Sequence, residues 1–176
     1  MELSDVRAGC DQFNLMLGGV EPGVFSGGDA AEAAELLAGV EKRVAAARLA
    51  LAARAAAASA HLQRGYPDAA HWLATTAGTT TAAAKAALAT AAALDRCPRT
   101  RHALAAGRIS LAQADEITRT ATAGENEADL VERAAGASLS ELRDHCRRRR
   151  LQADDVDQAH RRQHAERAAR HRQDDH

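Results

Sequence analysis

Aromatic side chains are nearly absent from this sequence. Its 176 residues include two Phe, one Tyr and one Trp, and the few Val and Ile never alternate with polar residues over the length of a strand. Because strands favour β-branched and aromatic residues, this deficit argues against a β-rich fold. Alanine, which has the highest helix propensity, supplies most of the apolar content. The composition predicts an all-α fold, an Ala-rich multi-helix bundle with a thin core.

Cysteines and long apolar runs are also scarce. Cys10, Cys97 and Cys146 are widely spaced and form no C-x-x-C pair, which fits neither a secreted disulfide framework nor a zinc ribbon. No basic-then-apolar leader opens the chain, and no run approaches the roughly 20 apolar residues that a bilayer span needs. We therefore expect a cytoplasmic protein with no membrane partner.

Motifs for catalysis and cofactor binding are missing as well. The chain has no G-x-S-x-G, no G-x-x-x-x-G-K-[ST] and no G-x-G-x-x-G. His160 and His164 have the i, i+4 spacing of a helical metal pair but lack an obvious third ligand, so an exposed polar helix is the favoured interpretation. The sequence predicts no catalytic residue, cofactor, metal site or small-molecule substrate, and leaves open whether the protein is an enzyme.

Three segments follow from composition. Residues 1–31 are Gly-rich and without sustained periodicity, which predicts a flexible N-terminal arm with one short helix near Leu3–Leu17. The helical bundle domain is predicted over residues 32–153. Residues 154–176 are nearly all charged or amide and cannot bury themselves in a core, so they predict a charged C-terminal helix or tail that leads to missing sequence.

Helix boundaries within the bundle are marked by glycines and capping residues. Gly65, Gly78 and Gly107 predict helix ends, and the spacing of Ser110 with Gln113 predicts a capping box at a helix start. One long helix is predicted from Glu32 to about Leu62. Its apolar residues recur at spacings of three and four and draw one stripe: Leu37, Val40, Val44, Ala47, Leu51, Ala55, Ala58 and Leu62.

Two motifs carry a resemblance to a known family. The first is Arg64-Gly65-Tyr66 followed by Ala70-His71-Trp72-Leu73-Ala74 and Gly78, and the second is the run from Leu104 to Ala114. In this order and separation they resemble the domain-of-unknown-function 222 family, also called the thirteen-E-twelve repeat family, over roughly residues 32–176. In that family a helical region commonly precedes a metal-dependent HNH endonuclease module. This chain has no His-Asn…His module, so the resemblance implies an HNH-associated, truncated or naturally short member.

The segment from Ala70 to Ala87 has the layout of a helix-turn-helix. Ala74 stands where two helices would cross and Gly78 in the tight turn. Three residues near the start of the second helix are candidate DNA contacts: Thr80, Thr81 and Lys85. An ordinary αα corner is the alternative, because this face lacks the Arg, Asn or Gln that make bidentate base contacts.

A basic run is the second candidate DNA contact. It consists of Arg147, Arg148, Arg149 and Arg150, and further arginines follow after residue 160. Such a run can neutralise phosphates, although a solvated helix surface explains it equally well. The net charge of the whole chain is only −1.

These observations support three hypotheses. The leading one is a DNA-binding helical accessory domain, itself non-catalytic, of an HNH-endonuclease-like protein, with double-stranded DNA as its partner. The first alternative is a protein-interaction or oligomerisation module, in which the long Ala-lined helix packs against a second copy, as a homo-oligomer, or against another chain. The second is a fragment of an active metal-dependent HNH endonuclease whose catalytic module lies downstream.

Overall fold

The protein is described by a computed structural model that covers residues 2–121 and 126–152. Every regular element in these ranges is helical, which confirms the all-α prediction. Eight α-helices are present: α1 (Leu3–Gly18), α2 (Gly27–Ala57), α3 (Ala69–Ala77), α4 (Thr81–Ala93), α5 (Pro98–Ala105), α6 (Leu111–Thr120), α7 (Glu127–Gly136) and α8 (residues 139–152). Three 3₁₀ turns also occur, at Pro22–Val24, Leu62–Arg64 and Leu94–Arg96.

Helix starts and ends largely follow the capping signals. Ser110 and Gln113 form the predicted capping box, and the side chain of Thr80 accepts a hydrogen bond from the backbone N–H of Ala83. Gly78 and Gly107 take left-handed backbone conformations with φ of 62° and 73°, and each closes its helix with the paired backbone bonds of a Schellman motif.

The end of α2 differs from the prediction. The helix stops at Ala57, and Ser59 adopts a positive φ of 53°. The N–H of Ala60 bonds to the carbonyl of Ala55, and the N–H of Ser59 bonds to that of Ala56, which is a Schellman ending with serine at the usual glycine position. Gly65 is left-handed as predicted, with φ of 79°, but it closes the short Leu62–Arg64 turn instead of the long helix.

The chain divides into two compact units, Met1–Ala38 and Gly39–His176. The first unit holds α1 and the beginning of α2, and none of its described residues is buried. The predicted boundary between arm and bundle after residue 31 stays a prediction. Residues 154–176, the predicted charged tail, lie outside the described residues.

The core of the second unit has a large and a small part. The large part, which we call the main cluster, is formed mainly by residues of α5, α6, α7 and α8. Its fully buried large side chains include Ile109, Ile117, Leu130 and Leu142. The second part, the alanine cluster, consists of Ala52, Ala70, Leu73, Ala74 and Ala84. Trp72, the single tryptophan of the sequence, is half-buried and packs against the alanine cluster.

Buried polar groups connect the helices around the main cluster. A carboxylate oxygen of Glu127, which is 3% exposed, accepts hydrogen bonds from the Thr100 N–H at 2.7 Å and the Thr100 hydroxyl at 2.9 Å. The side-chain amide of Gln113 donates to the carbonyl of Ala134 at 2.7 Å and to that of Ala137 at 3.0 Å. These bonds satisfy backbone groups at the start of α5 and the end of α7, which are otherwise left without partners.

The apolar stripe on α2 does not face the core. Leu49 and Ala52, which are not members of the stripe, are the buried residues of this helix. Val44, Leu51 and Leu62 from the stripe are 54%, 64% and 58% exposed. The helix therefore carries apolar side chains on two faces, and the described part of the bundle covers only one of them.

Among the described residues, none of the helices has the length and apolar character needed to cross a membrane.

Candidate nucleic-acid interface

The predicted helix-turn-helix corner is formed by α3 and α4. Asp68 caps α3 by accepting a hydrogen bond from the N–H of His71 at 2.8 Å, and Gly78 provides the left-handed turn. Ala74 and Ala84 are 7% and 1% exposed, so the two helices meet through small side chains. The corner that sequence reasoning placed between Ala70 and Ala87 is therefore present.

The three candidate groove residues on this corner differ in what they offer. The Thr80 oxygen is occupied at the helix start, where it accepts from the Ala83 N–H at 3.1 Å, and Thr81 is half-buried. Lys85 is exposed and is the only charged residue of α4. The corner thus presents one cation, which suits a phosphate contact better than the reading of bases.

The four arginines of the basic run do not share one surface. Four consecutive helical residues sweep about 300° around the axis, so the run must divide between the flanks of α8. Arg150 Nη1 lies 2.8 Å from Glu116 Oε1 and 2.8 Å from Thr120 Oγ1, both on α6. Arg149 reaches toward α7, with Nη2 at 3.7 Å from Asp129 Oδ2. These two arginines fasten α8 to its neighbours.

Arg147 and Arg148 remain exposed on α8. Neither forms an ion pair within residues 2–121 and 126–152. A pair of exposed guanidinium groups with no carboxylate partner in these ranges is well suited to phosphate oxygens, which arginine binds through two parallel N–H donors. Arg147 and Arg148 are consequently the strongest phosphate candidates of the run.

Further basic groups that the sequence did not single out lie beside this pair. Burial lowers the pKa of His145, and the positive charges of Arg133, Arg149 and Arg148 lower it further. Arg133 belongs to α7, so cations from two helices converge on this histidine. Because Arg133 and Arg148 are fifteen positions apart on different helices, no spacing rule for a single helix could have found the cluster.

The cleft between α7 and α8 also contains acidic groups. It has a volume of about 890 Å³ and is lined by Arg133, His145, Arg148 and Arg149 together with four carboxylates. Glu132 is held by Arg108 at 2.8 Å, and Glu141 accepts from the backbone N–H and the hydroxyl of Ser138, both at 2.8 Å. The cleft interior is therefore close to balanced in charge, and Arg147 is not among the residues that line it.

Charge is strongly divided between the two units. Residues 1–38 carry one basic and seven acidic side chains, for a net charge of −6, whereas residues 39–152 carry 17 basic and 11 acidic ones, for a net charge of +6. The near-zero charge of the whole chain conceals this division. The basic region therefore extends over the bundle and is not limited to the arginine run of α8.

An apolar groove of about 670 Å³ lies elsewhere in the second unit, between α2, α4 and α5. Alanines and leucines line most of it, and its polar groups are Arg43, Asp95 and Arg101. The Arg43 Nε donates to the carbonyl of Ala106 at 3.3 Å, and Arg101 lies 3.6 Å from Asp95. No nucleophile stands beside a base along this groove.

The chemistry available in the described residues is limited. No group of three or more His, Cys, Asp or Glu side chains there could hold a metal ion, and His160 and His164 lie outside these residues, as do the arginines after residue 160. Burial raises the pKa of the Cys97 and Cys146 thiols, which leaves both mostly protonated and weakly nucleophilic at neutral pH.

Comparison of the chain with protein-family models, curated proteins and solved structures found no match.

Proposed function

We propose that this protein is a DNA-binding helical accessory module that is itself non-catalytic. We also propose that it is related to the helical region of the domain-of-unknown-function 222 family. The observation that carries the DNA proposal is the net charge of +6 on residues 39–152, together with the exposed Arg147 and Arg148 on α8, which form no ion pair with another described residue. Binding of this kind is electrostatic and depends little on base sequence.

Lys85 on α4 extends the proposal to a second helix. The α4 helix packs on α6, where the Thr90 hydroxyl donates to Asp115 at 2.8 Å. Glu116, the next residue of α6 after Asp115, forms an ion pair with Arg150 of α8. Because α6 contacts both helices, Lys85 and the arginines of α8 lie on helices that pack against a common neighbour, and a duplex that spans α6 could meet both.

Fluorescence anisotropy with a labelled duplex tests this proposal. The variant Arg147→Gln/Arg148→Gln should raise the dissociation constant by about tenfold or more at low salt, since two phosphate contacts are removed. The matched control is Arg108→Gln/Arg119→Gln, which removes the same charge from arginines that already pair with Glu132 and Asp115. Its effect should be clearly smaller.

Two outcomes would contradict the proposal. Equal weakening by both double variants would show that only net charge matters and that α8 is no binding surface. Absence of binding at low salt would remove the DNA function altogether. The relation to HNH proteins is tested separately by reading the gene beyond codon 176, where a module with metal-binding histidines and an asparagine would support it.

A further inference from the structure

The uncovered apolar face of α2 has the spacing of a coiled-coil seam. Val40, Val44, Ala47 and Leu51 follow one another at intervals of four, three and four residues, the alternation of a and d positions in a heptad. Val44 and Leu51 are more than half exposed, while Leu49 and Ala52 bury the opposite face. A helix with two apolar faces needs a partner on each of them.

The partner that fits this face is another helix. The heptad alternation extends back to Ala30, through Ala33 and Leu37, so it persists over three heptads of a single 31-residue helix. A seam of this width and period accepts the knobs of a facing helix, whereas an acidic side chain directly beside the seam is repelled by an anionic membrane surface. Two charged side chains lie beside the seam, and one of them is acidic.

Those flanking charges select a second copy in antiparallel orientation. Glu41 and Arg48 both occupy the e position beside the seam, are exposed, and form no ion pair in the described part of the chain. In an antiparallel pair the e positions of the two helices face each other, which brings each Glu41 to Arg48 of the other copy. A parallel pair would instead set Arg43, at a g position, against Arg48 of the other copy.

We propose that two copies of this chain pair through the exposed face of α2, antiparallel, about a two-fold axis between residues 45 and 46. Val40 then lies opposite Leu51 of the second copy, and Val44 lies opposite Ala47. The interface is isologous, so every contact occurs twice, including the Glu41–Arg48 ion pair. This pairing does not depend on the proposed DNA function.

Sedimentation velocity of the intact chain without DNA, over a series of concentrations, tests the proposal. The wild-type protein should show a reversible dimer. Glu41→Arg and Arg48→Glu should each raise the dimer dissociation constant by about tenfold or more, because each variant sets like charges opposite one another. The double variant Glu41→Arg/Arg48→Glu should restore pairing, since the swapped charges still face each other.

Two controls separate pairing from folding. Leu51→Gln should abolish the dimer while circular dichroism keeps its full helical signal, because Leu51 is exposed. Lys85→Glu, a charge reversal of an exposed residue on α4, should leave the dimer unchanged. A wild-type protein that stays monomeric at every concentration would overturn the proposal, as would a double charge swap that dimerises no better than either single variant.

Discussion

The two core regions of the bundle are held together by different means. Around the main cluster, large buried side chains are joined by specific polar bonds, such as those of Glu127 and Gln113. Around the alanine cluster, helices approach closely through small side chains and only Leu73 is large among the buried members. The first region has apolar area and fixed orientation, whereas the second depends on helix propensity and close backbone approach. The difference indicates that the first region stabilises the fold and that the second tolerates change.

Truncation of one leucine in each region should reveal the largest difference. Leu142→Ala, in the main cluster, should lower the free energy of unfolding by about 3–4 kcal/mol, because Leu142 is completely buried and its truncation leaves a cavity among its neighbours. Leu73→Ala should cost about 2 kcal/mol, since the margin of the alanine cluster can relax. Urea denaturation of both variants measures the two values, and equal losses would contradict the division into a strong and a weak region.

Loss of the Glu127 carboxylate should have the next largest effect. Glu127→Ala leaves the buried N–H and hydroxyl of Thr100 without an acceptor, and we expect a loss of about 2–3 kcal/mol. The control is Glu132→Ala, which breaks only the exposed ion pair with Arg108 and should cost less than about 1 kcal/mol. If the two variants unfold at the same urea concentration, the buried carboxylate is not the support that its geometry indicates.

Substitution of Arg150 should mainly lower the stability of the fold, whereas substitution of Arg147 should mainly weaken DNA binding. Arg150→Ala leaves the largely buried Glu116 with one ion-pair partner among the described residues, Arg143 at 4.0 Å, and should destabilise the protein by about 1–2 kcal/mol. Arg147→Ala should change stability by less than about 0.5 kcal/mol and should weaken DNA binding more than the other variant. Thermal unfolding and anisotropy on the same samples check both statements, and the reverse order in either measurement would refute the assignment.

Acidification should lower the stability of the two regions in different pH ranges. These changes should be smaller than those expected from the substitutions above. The pKa of His145 is lowered from 6.5, first by burial, so its contribution to stability is complete above about pH 6.5 and is lost as the pH falls through the folded-state pKa. The pKa of Asp68 is lowered from 3.8, first by the backbone hydrogen bond from His71, so its contribution is complete above that value and is lost further into acid.

Thermal unfolding midpoints across the acid range measure both contributions. His145→Gln should flatten the profile just below neutral pH, and Asp68→Asn should flatten it only in the strongly acidic part. An effect of Asp68→Asn close to neutral pH would contradict the assigned direction of its pKa shift.

Helix identity was readable from the sequence because alanine propensity, glycine ends and capping boxes all act locally. The end of α2 was not, because Ser59 occupies a left-handed position that glycine usually fills. The orientation of the α2 stripe was also hidden, since periodicity identifies an apolar face but does not say whether the same chain covers it.

The candidate site was only partly predictable for a similar reason. The run from Arg147 to Arg150 was visible, but its division into two fastening and two exposed arginines depends on Glu116 and Asp129, which lie on other helices. The roles of these arginines, of Thr80, Thr81 and Lys85 in DNA binding, and the relation to a known family stay predictions.

The salt dependence of DNA binding tests the central claim most directly. If the basic bundle meets two to four phosphates, a plot of the logarithm of the association constant against the logarithm of the salt concentration should fall with a slope of about −2 to −4. The account predicts tight binding at low salt and this steep decline. A flat plot, or no binding to duplex DNA at the lowest salt concentration, would contradict it.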